Sequence, residues 1–268
     1  MINGNSTSDC SKEVTDKNTN LLNIALTPEN LCLAWTLVKA NKGLYGINQE
    51  DIVEYPSWEK QKWPAIRQKL ECYSYNPNPV KKAKIPSPDG SFRELYLPSI
   101  NDCIIQQAIS QVLVPLIDPS LSRFGSKSKS NHFLCHESRR IKDYIKAGYK
   151  VALDIELSKF YNRVSHDIII ARLAKYVDDA HLLRLIGRYL RAGITDGLVI
   201  HKRIQGIPKG GPLYSLLTNV VLEDLRQHLK TSGFNYVSYD SGFFIYVKNA
   251  WSGRRVKEQV RQFIERRF

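Results

Sequence analysis

The sequence predicts an α+β fold, and three observations carry that prediction. Apolar residues recur every three or four positions in several stretches, which marks helices with one buried stripe. Two other stretches alternate apolar and polar side chains around turn residues, which marks antiparallel hairpins. These elements are interspersed without the strand–helix alternation of a parallel α/β sheet. With 268 residues, 43% hydrophobic and 24% charged, the chain can bury a substantial core and is neither disordered nor fibrous.

Taken in order, residues 1–20 are polar, lack the layout of a signal peptide and read as a flexible tail. Thr27-Pro28-Glu29-Asn30 opens a helix, with Thr27 as N-cap and Pro28 in the first turn. Leu31, Trp35 and Val38 follow at helical spacing, and Asn41-Lys42-Gly43 ends it. A second helix starts near Trp63-Pro64, and the prolines between Tyr75 and Val80 hold that stretch extended. From Lys84 to Pro98, two alternating runs flank Pro88-Asp89-Gly90, a hairpin signal. Asp102 to Leu116 is helical, with Ile105, Ala108, Ile109, Val112 and Leu113 on one stripe. A helix ending at Gly148 leads into a buried strand over Val151–Leu157. Ser165 caps the next helix, with Asp167 in its first turn, and another runs from about His181 to Ala192. The turn Ile207–Pro212 opens a helix carrying Leu213, Leu217, Val220 and Leu225. Two strands span Tyr236–Val247, and a basic helix begins near Arg254.

Composition narrows the class of function. No uninterrupted apolar run reaches the roughly 18 residues of a membrane span, so no membrane partner is expected. Five cysteines without a paired CxxC spacing argue against a disulfide framework and for a reducing, cytoplasmic setting. His132, Cys135 and His136 offer half of a metal site with no second half, and read as incidental ligand types in a loop. The net charge is +13, concentrated in Arg123–Lys150 (eight basic, two acidic) and Lys248–Phe268 (seven basic, two acidic). Such patches suit a polyanion and are the usual footprint of nucleic-acid binding.

A more specific pattern follows from ordered blocks. Asn41-Lys42-Gly43 with Gly46, Ile85-Pro86-Ser87-Pro88-Asp89-Gly90 through Arg93 to Leu97-Pro98, and Asp102 with Ile105-Gln106-Gln107-Ala108-Ile109 come first. Leu153-Asp154-Ile155-Glu156-Leu157-Ser158-Lys159-Phe160-Tyr161-Asn162 with His166-Asp167, and Pro208-Lys209-Gly210-Gly211-Pro212-Leu213, come after. In this order, from Leu21 onward, the blocks resemble the reverse transcriptases encoded by bacterial group II introns. The resemblance implies a right-hand polymerase with an antiparallel, ferredoxin-like palm sheet backed by helices. Residues 21–150 would be the fingers-like part and residues 151–268 the palm-like part, stopping before the family's thumb. It implies a group II intron RNA, or an RNA template with a DNA primer, as partner, and dNTP as substrate.

Nucleotide addition is an in-line phosphoryl displacement assisted by two metal ions about 4 Å apart. Mg²⁺ is the hard ion expected, held by a few carboxylates together with phosphates and water. By the resemblance, Asp154 is the first metal ligand and Ile155 offers its backbone carbonyl. Phe160 matches the aromatic that excludes a ribose 2′-hydroxyl, and Arg93 the residue gripping the triphosphate. Lys209, Gly210 and Gly211 match the template- and nucleotide-binding turn, where missing Cβ atoms allow close approach. Plain alternatives exist for each: a strand-end Asp, a core Phe, a solvated Arg, a helix-opening turn. Lys127, Lys129, Arg254 and Arg255 are the candidate RNA contacts.

The pattern breaks at the second metal element. Tyr236–Phe243 aligns on the family's FVRYADDF, so Ser241 and Gly242 stand at the two Asp positions and Asp240 at the Ala. Strand alternation turns Asp240 away from Asp154, and a one-residue slip to recover it would reverse every apolar neighbour. Glu156 shares period with Asp154 but matches a carboxylate the family already has. Cys103, Asn162, Ser87, Lys209 and Tyr214-Ser215 are further departures. The expectation is a polymerase-impaired reverse transcriptase domain. The alternatives are a non-catalytic, maturase-like RNA-binding module, a decayed remnant, and a surviving Mn²⁺-dependent enzyme using Asp240.

Overall fold

A computed structural model describes residues 20–41, 55–86, 90, 92–117, 132–155, 157–239 and 242–267. The chain forms two compact units, each assembled from separate stretches: residues 1–113, 170–203 and 209–213 in one, residues 114–169, 204–208 and 214–268 in the other.

The first unit is helical around a small sheet. A short helix α1 (Leu21–Ala25) precedes α2 (Pro28–Ala40). Thr27 occupies the N-cap position in an extended conformation, but its hydroxyl does not cap; it donates backward to the Ile24 carbonyl (3.1 Å) because α1 supplies that acceptor. Asn30 instead ties α2 in place, its amide donating to the Ala25 (2.8 Å) and Ala108 (3.0 Å) carbonyls. Helices α3 (Tyr55–Gln61) and α4 (Trp63–Glu71) bring Trp58 and Trp63 into a stack at 5.5 Å. The Trp58 indole donates to Asn101 at 2.8 Å.

Strands β1 (Val80–Pro86) and β2 (Phe92–Leu97) pair antiparallel from Lys81↔Leu97 to Pro86↔Phe92, as the alternation predicts. Helix α5 (Ile100–Ile117) buries Ile104, Ile105, Ile109 and Leu113 completely, each worth about 1.5–3 kcal/mol of apolar transfer. By length and composition α5 could cross a membrane, a candidate missed when only uninterrupted apolar runs were sought. Its buried Asp102, Gln106 and Ser110 mark it as a core helix.

Helix α9 (Ala180–Arg191) and the hairpin of β4 (Ile194–Asp196) and β5 (Val199–His201) complete the unit, giving a sheet in the order β2-β1-β4-β5 with β1 and β4 parallel. Asp179 caps α9 through Oδ1, accepting from His181 and Leu182, and its Oδ2 accepts the Leu22 N–H at 2.8 Å. One carboxylate thus fixes two helix starts.

The second unit is a three-stranded antiparallel sheet with helices. Helix α6 (His132–Lys146) includes His132, Cys135 and His136, so these residues lie on a helix rather than in a loop. Strands β3 (Val151–Ile155), β6 (Asn235–Tyr239) and β7 (Gly242–Val247) order as β3-β7-β6. The strand expected to reach Leu157 ends at Ile155, and the short helix α7 (Ser158–Tyr161) begins three residues later. Helix α8 (His166–Leu173) follows, and the Ser165 hydroxyl accepts the Asp167 N–H at 3.3 Å.

Helices α10 (Tyr214–Thr231) and α11 (Ala250–Arg267) pack on the sheet. Helix α11 starts four residues before Arg254, where the Asn249 side chain accepts the Ser252 N–H. Gly253 presses against the sheet, and a Cβ there would lie 3.1 Å from Leu153. At the sheet edge, Arg140 of α6 donates to the Tyr236 carbonyl and to the Tyr144 hydroxyl, both at 2.9 Å.

Candidate active site and nucleic-acid surface

Asp154 sits one residue before the end of β3, opposite Phe244, while Ile155 pairs with Phe243. Directly opposed residues in an antiparallel pair share a face, and alternate residues of one strand share a face. The Asp154 face therefore carries Gly242, Phe244 and Tyr246 from β7. The other face carries Phe243, Ile245 and Val247, all buried. Asp154 is exposed, and Ile155 is buried with its carbonyl on the strand backbone.

This arrangement does not complete a Mg²⁺ site among the described residues. On this face they offer one carboxylate, beside a glycine, a phenylalanine and a tyrosine, and they contain no cluster of three His, Cys, Asp or Glu. Asp240, Ser241 and Glu156 lie outside the described residues. So do Lys127 and Lys129, and the Arg93 side chain, whose backbone pairs with Ile85 on β1.

Phe160 is half-buried with its ring 5.5 Å from Tyr161. The segment after α7 is clamped to residues 205–207. The Tyr161 carbonyl accepts the Ile207 N–H (2.9 Å) and the Val164 carbonyl accepts the Gly206 N–H (2.8 Å). His166 donates from Nε2 to the Gly206 carbonyl at 3.1 Å, which sets its tautomer because a carbonyl can only accept. Gly206 has φ +85°, and a Cβ would stand 2.7 Å from the Asn162 carbonyl oxygen.

In the first unit, Lys209, Gly210 and Gly211 pack onto β2 and α5. The Lys209 carbonyl accepts the Tyr96 N–H at 2.7 Å. Gly210 has φ +131°, and a Cβ there would lie 2.7 Å from the Tyr96 carbonyl oxygen; one on Gly211 would lie 2.6 Å from Gln106 Oε1. Gly210 is needed for the chain's own backbone approach to Tyr96, whatever ligand the turn also admits.

Sequence reasoning missed three features. Asp102, 1% exposed, accepts from the Tyr75 hydroxyl (2.7 Å), the Ser99 hydroxyl (2.6 Å) and the Asn78 N–H (3.2 Å). Burial and the Asp102 charge hold the Tyr75 phenol well above its ordinary pKa. The acid's position in the D-x-x-I-Q-Q-A block was the available signal. Second, α10 and α11 flank a cleft of about 640 Å³ whose described lining includes His228, Phe263, Arg255, Arg266 and Arg267, the last paired with Asp224 at 3.2 Å. Within it His228 stacks on Phe263 at 4.1 Å, and Arg255 lies over the exposed Trp251 ring at 5.4 Å. Arg255, a predicted RNA contact, belongs to this cleft, and Arg254 beside it is exposed. Third, Arg203 is buried on the Tyr96 ring, with no sequence signal to separate it from an exposed basic strand end.

Comparison with known proteins gives this geometry a family. The chain is similar to the protein YkfC of Escherichia coli (strain K12), 24% identical over 78% of this chain and 56% of that protein. It is similar to the group II intron-encoded protein LtrA of Lactococcus lactis subsp. cremoris, 26% identical over 77% of this chain and 34% of that one. The putative COX1/OXI3 intron 1 protein of Saccharomyces cerevisiae is 26% identical over 76% and 24% respectively. The chain thus spans from about a quarter to just over half of the length of these relatives. Its fold matches a chain of the partial Cas6-RT-Cas1–Cas2 complex with a TM-score of 0.56 and 22% identity, covering 85% of this chain and 38% of that one. Residues 80–268 match the family model for reverse transcriptase (RNA-dependent DNA polymerase), so the chain belongs to the reverse transcriptase family, and its domain resembles those of group II intron-encoded proteins.

Proposed function

We propose that this reverse transcriptase domain binds RNA, with a group II intron RNA or a primed RNA template as its ligand, and that its polymerase chemistry is impaired. The β7 contribution to the Asp154 face carries the second half of this reading: Gly242, Phe244 and Tyr246 provide no carboxylate. With Ser241 also replacing an Asp, the Mg²⁺ pair needed to activate a 3′-hydroxyl and neutralise pyrophosphate loses two ligands. Activity lower by several orders of magnitude follows. In this reading residues 21–150 serve as fingers and residues 151–268, with the β3-β7-β6 sheet, as palm. By the family resemblance the triphosphate role goes to Arg93, the ribose role to Phe160 and the template and nucleotide role to Lys209-Gly210-Gly211, in a cytoplasmic setting.

Primer extension on an RNA template, with Mg²⁺ and then Mn²⁺, tests it. The wild-type chain runs beside a Ser241→Asp/Gly242→Asp variant. Extension by the variant alone is the expected result. Extension by the wild type would overturn the impairment and point to Asp240 as a ligand. Extension by neither would place the loss outside this face and sink the reading as stated.

A maturase-like role without synthesis is a second reading, favoured by the arginine-lined cleft between α10 and α11. It requires tight, salt-sensitive binding of structured RNA above that of a generic polyanion.

A further inference from the structure

Arg203 is the one large charge in the first unit whose burial the described structure does not compensate. It is 8% exposed, and neither terminal guanidinium nitrogen has a hydrogen-bond partner. Its one evident attraction is the Tyr96 ring, 5.2 Å from the guanidinium carbon. Desolvation lowers its pKa only to about 10, so the side chain is charged at neutral pH. The nearby carboxylates do not help. Glu94 is paired with Lys82 at 2.8 Å, and Asp196 lies 4.0 Å from the same ammonium. The Tyr96 hydroxyl donates to Glu94 at 3.3 Å and takes no hydrogen bond from the Arg203 fork.

A cation–π contact is weaker than the cost of withdrawing a guanidinium from water. The buried state is therefore poised, and an anion offered to the planar fork would be captured by paired, charge-assisted hydrogen bonds. Lys202 before it and Ile204 and Gln205 after it are exposed. The proposal requires the side chain to swing off the Tyr96 ring toward this exposed stretch by rotation about its own bonds. Tyr96 also holds the Lys209 carbonyl through its N–H, so the fork would emerge beside the Lys209-Gly210-Gly211 turn.

We infer that Arg203 is a phosphoryl-oxygen receptor, stored on Tyr96 and released to a phosphate of the bound nucleic acid or nucleotide. The inference rests on the reading that phosphate-bearing ligands are what this domain binds. Arg203 lies outside the motif blocks of the sequence and differs from the triphosphate contact assigned to Arg93.

The test uses the full chain with an Arg203→Met variant, which keeps the length and apolar stem of the side chain. Thermal melting is measured in chloride and in pyrophosphate at equal ionic strength, and binding of dATP and of a 12-nucleotide RNA is measured by titration. The expected result is a variant that melts at or above the wild type, because an unpaired buried charge is gone, and that loses the pyrophosphate stabilisation. Its affinity for one ligand should fall by about tenfold to a hundredfold, as for loss of charged hydrogen bonds. Loss confined to dATP identifies a nucleotide phosphate, and loss confined to RNA identifies the strand backbone. A variant that melts well below the wild type while binding both ligands normally would overturn the inference and leave Arg203 a packing residue. Should the variant fail to fold, the wild type decides: no stabilisation by pyrophosphate beyond chloride overturns it. Failure of wild-type RNA binding altogether would instead sink the proposed function, a result distinct from normal RNA binding by Arg203→Met.

Discussion

Replacing Asp102 by alanine should unfold the first unit more readily than any surface change. The carboxylate is nearly sealed and accepts from Tyr75, Ser99 and the Asn78 backbone. Removing it strips the buried Tyr75 hydroxyl of its charged acceptor and leaves only the neighbouring Tyr189 hydroxyl, at about 1–3 kcal/mol. The half-buried Asn78 N–H and Ser99 hydroxyl can turn toward water, so together they add only about 1–2 kcal/mol. The expected loss is therefore about 2–5 kcal/mol, read by urea denaturation at pH 7 with m-values compared. Tyr75→Phe alone should cost about 1–2 kcal/mol, because it removes one hydrogen bond while the carboxylate keeps its other donors. The double variant discriminates, since the Tyr75 donor is then absent and only the buried Tyr189 hydroxyl stays beside the site. It should be less destabilised than the sum of the single changes by about 1–2 kcal/mol. Additivity, or a loss under about 1 kcal/mol for Asp102→Ala, would refute the claim that this carboxylate organises the start of α5.

Other consequences can be checked together. Gly206→Ala should cost about 2–4 kcal/mol in melting experiments, since it sets a Cβ against the Asn162 carbonyl at positive φ. Stability should fall as pH rises above about 10: the buried phenols of Tyr75 and Tyr189 are held well above that value and Tyr55 is pushed up to about 12. The unfolded chain then releases protons that the folded chain retains, and Tyr75→Phe should flatten the decline seen in urea titrations between pH 8 and 11. Neutralising Arg254 and Arg255 should reduce the salt slope of RNA binding by about 1.4 if each touches one phosphate of a single strand. An unchanged slope in filter-binding assays would remove both from the interface.

Local chemistry made much of the fold legible. The alternation around Pro88-Asp89-Gly90 and across Tyr236–Val247 foretold both hairpins, because period-two burial needs no distant information. The β4–β5 hairpin was equally readable in Ile194-Thr195-Asp196-Gly197-Leu198-Val199-Ile200, yet strands of three residues are easily passed over as a link between helices. Thr27 shows the limit of cap reading: the residue type fits, but a preceding helix captured its hydroxyl. Asp154 was legible from its block, and the register places it opposite Phe244. Arg203 and Asp102 were not legible in their roles. Their significance depends on Tyr96 and Tyr75, which reach them only through tertiary folding.

The pairing of β1 with β4 sets an order of events during synthesis. Val80 lies beside Ile194 in the parallel ladder, and Leu22 waits for the side chain of Asp179. A ribosome adding about 5–20 residues per second leaves the β1–β2 hairpin with an exposed edge for several seconds before its neighbour emerges. The residues that build the β3-β7-β6 sheet straddle that interval, since β3 is made before β4 and β7 well after it. Both units stay incomplete until after Ile194 has been made, so slowing translation between Val151 and Ile194 should raise the misfolded fraction, and a holdase present over that window should lower it.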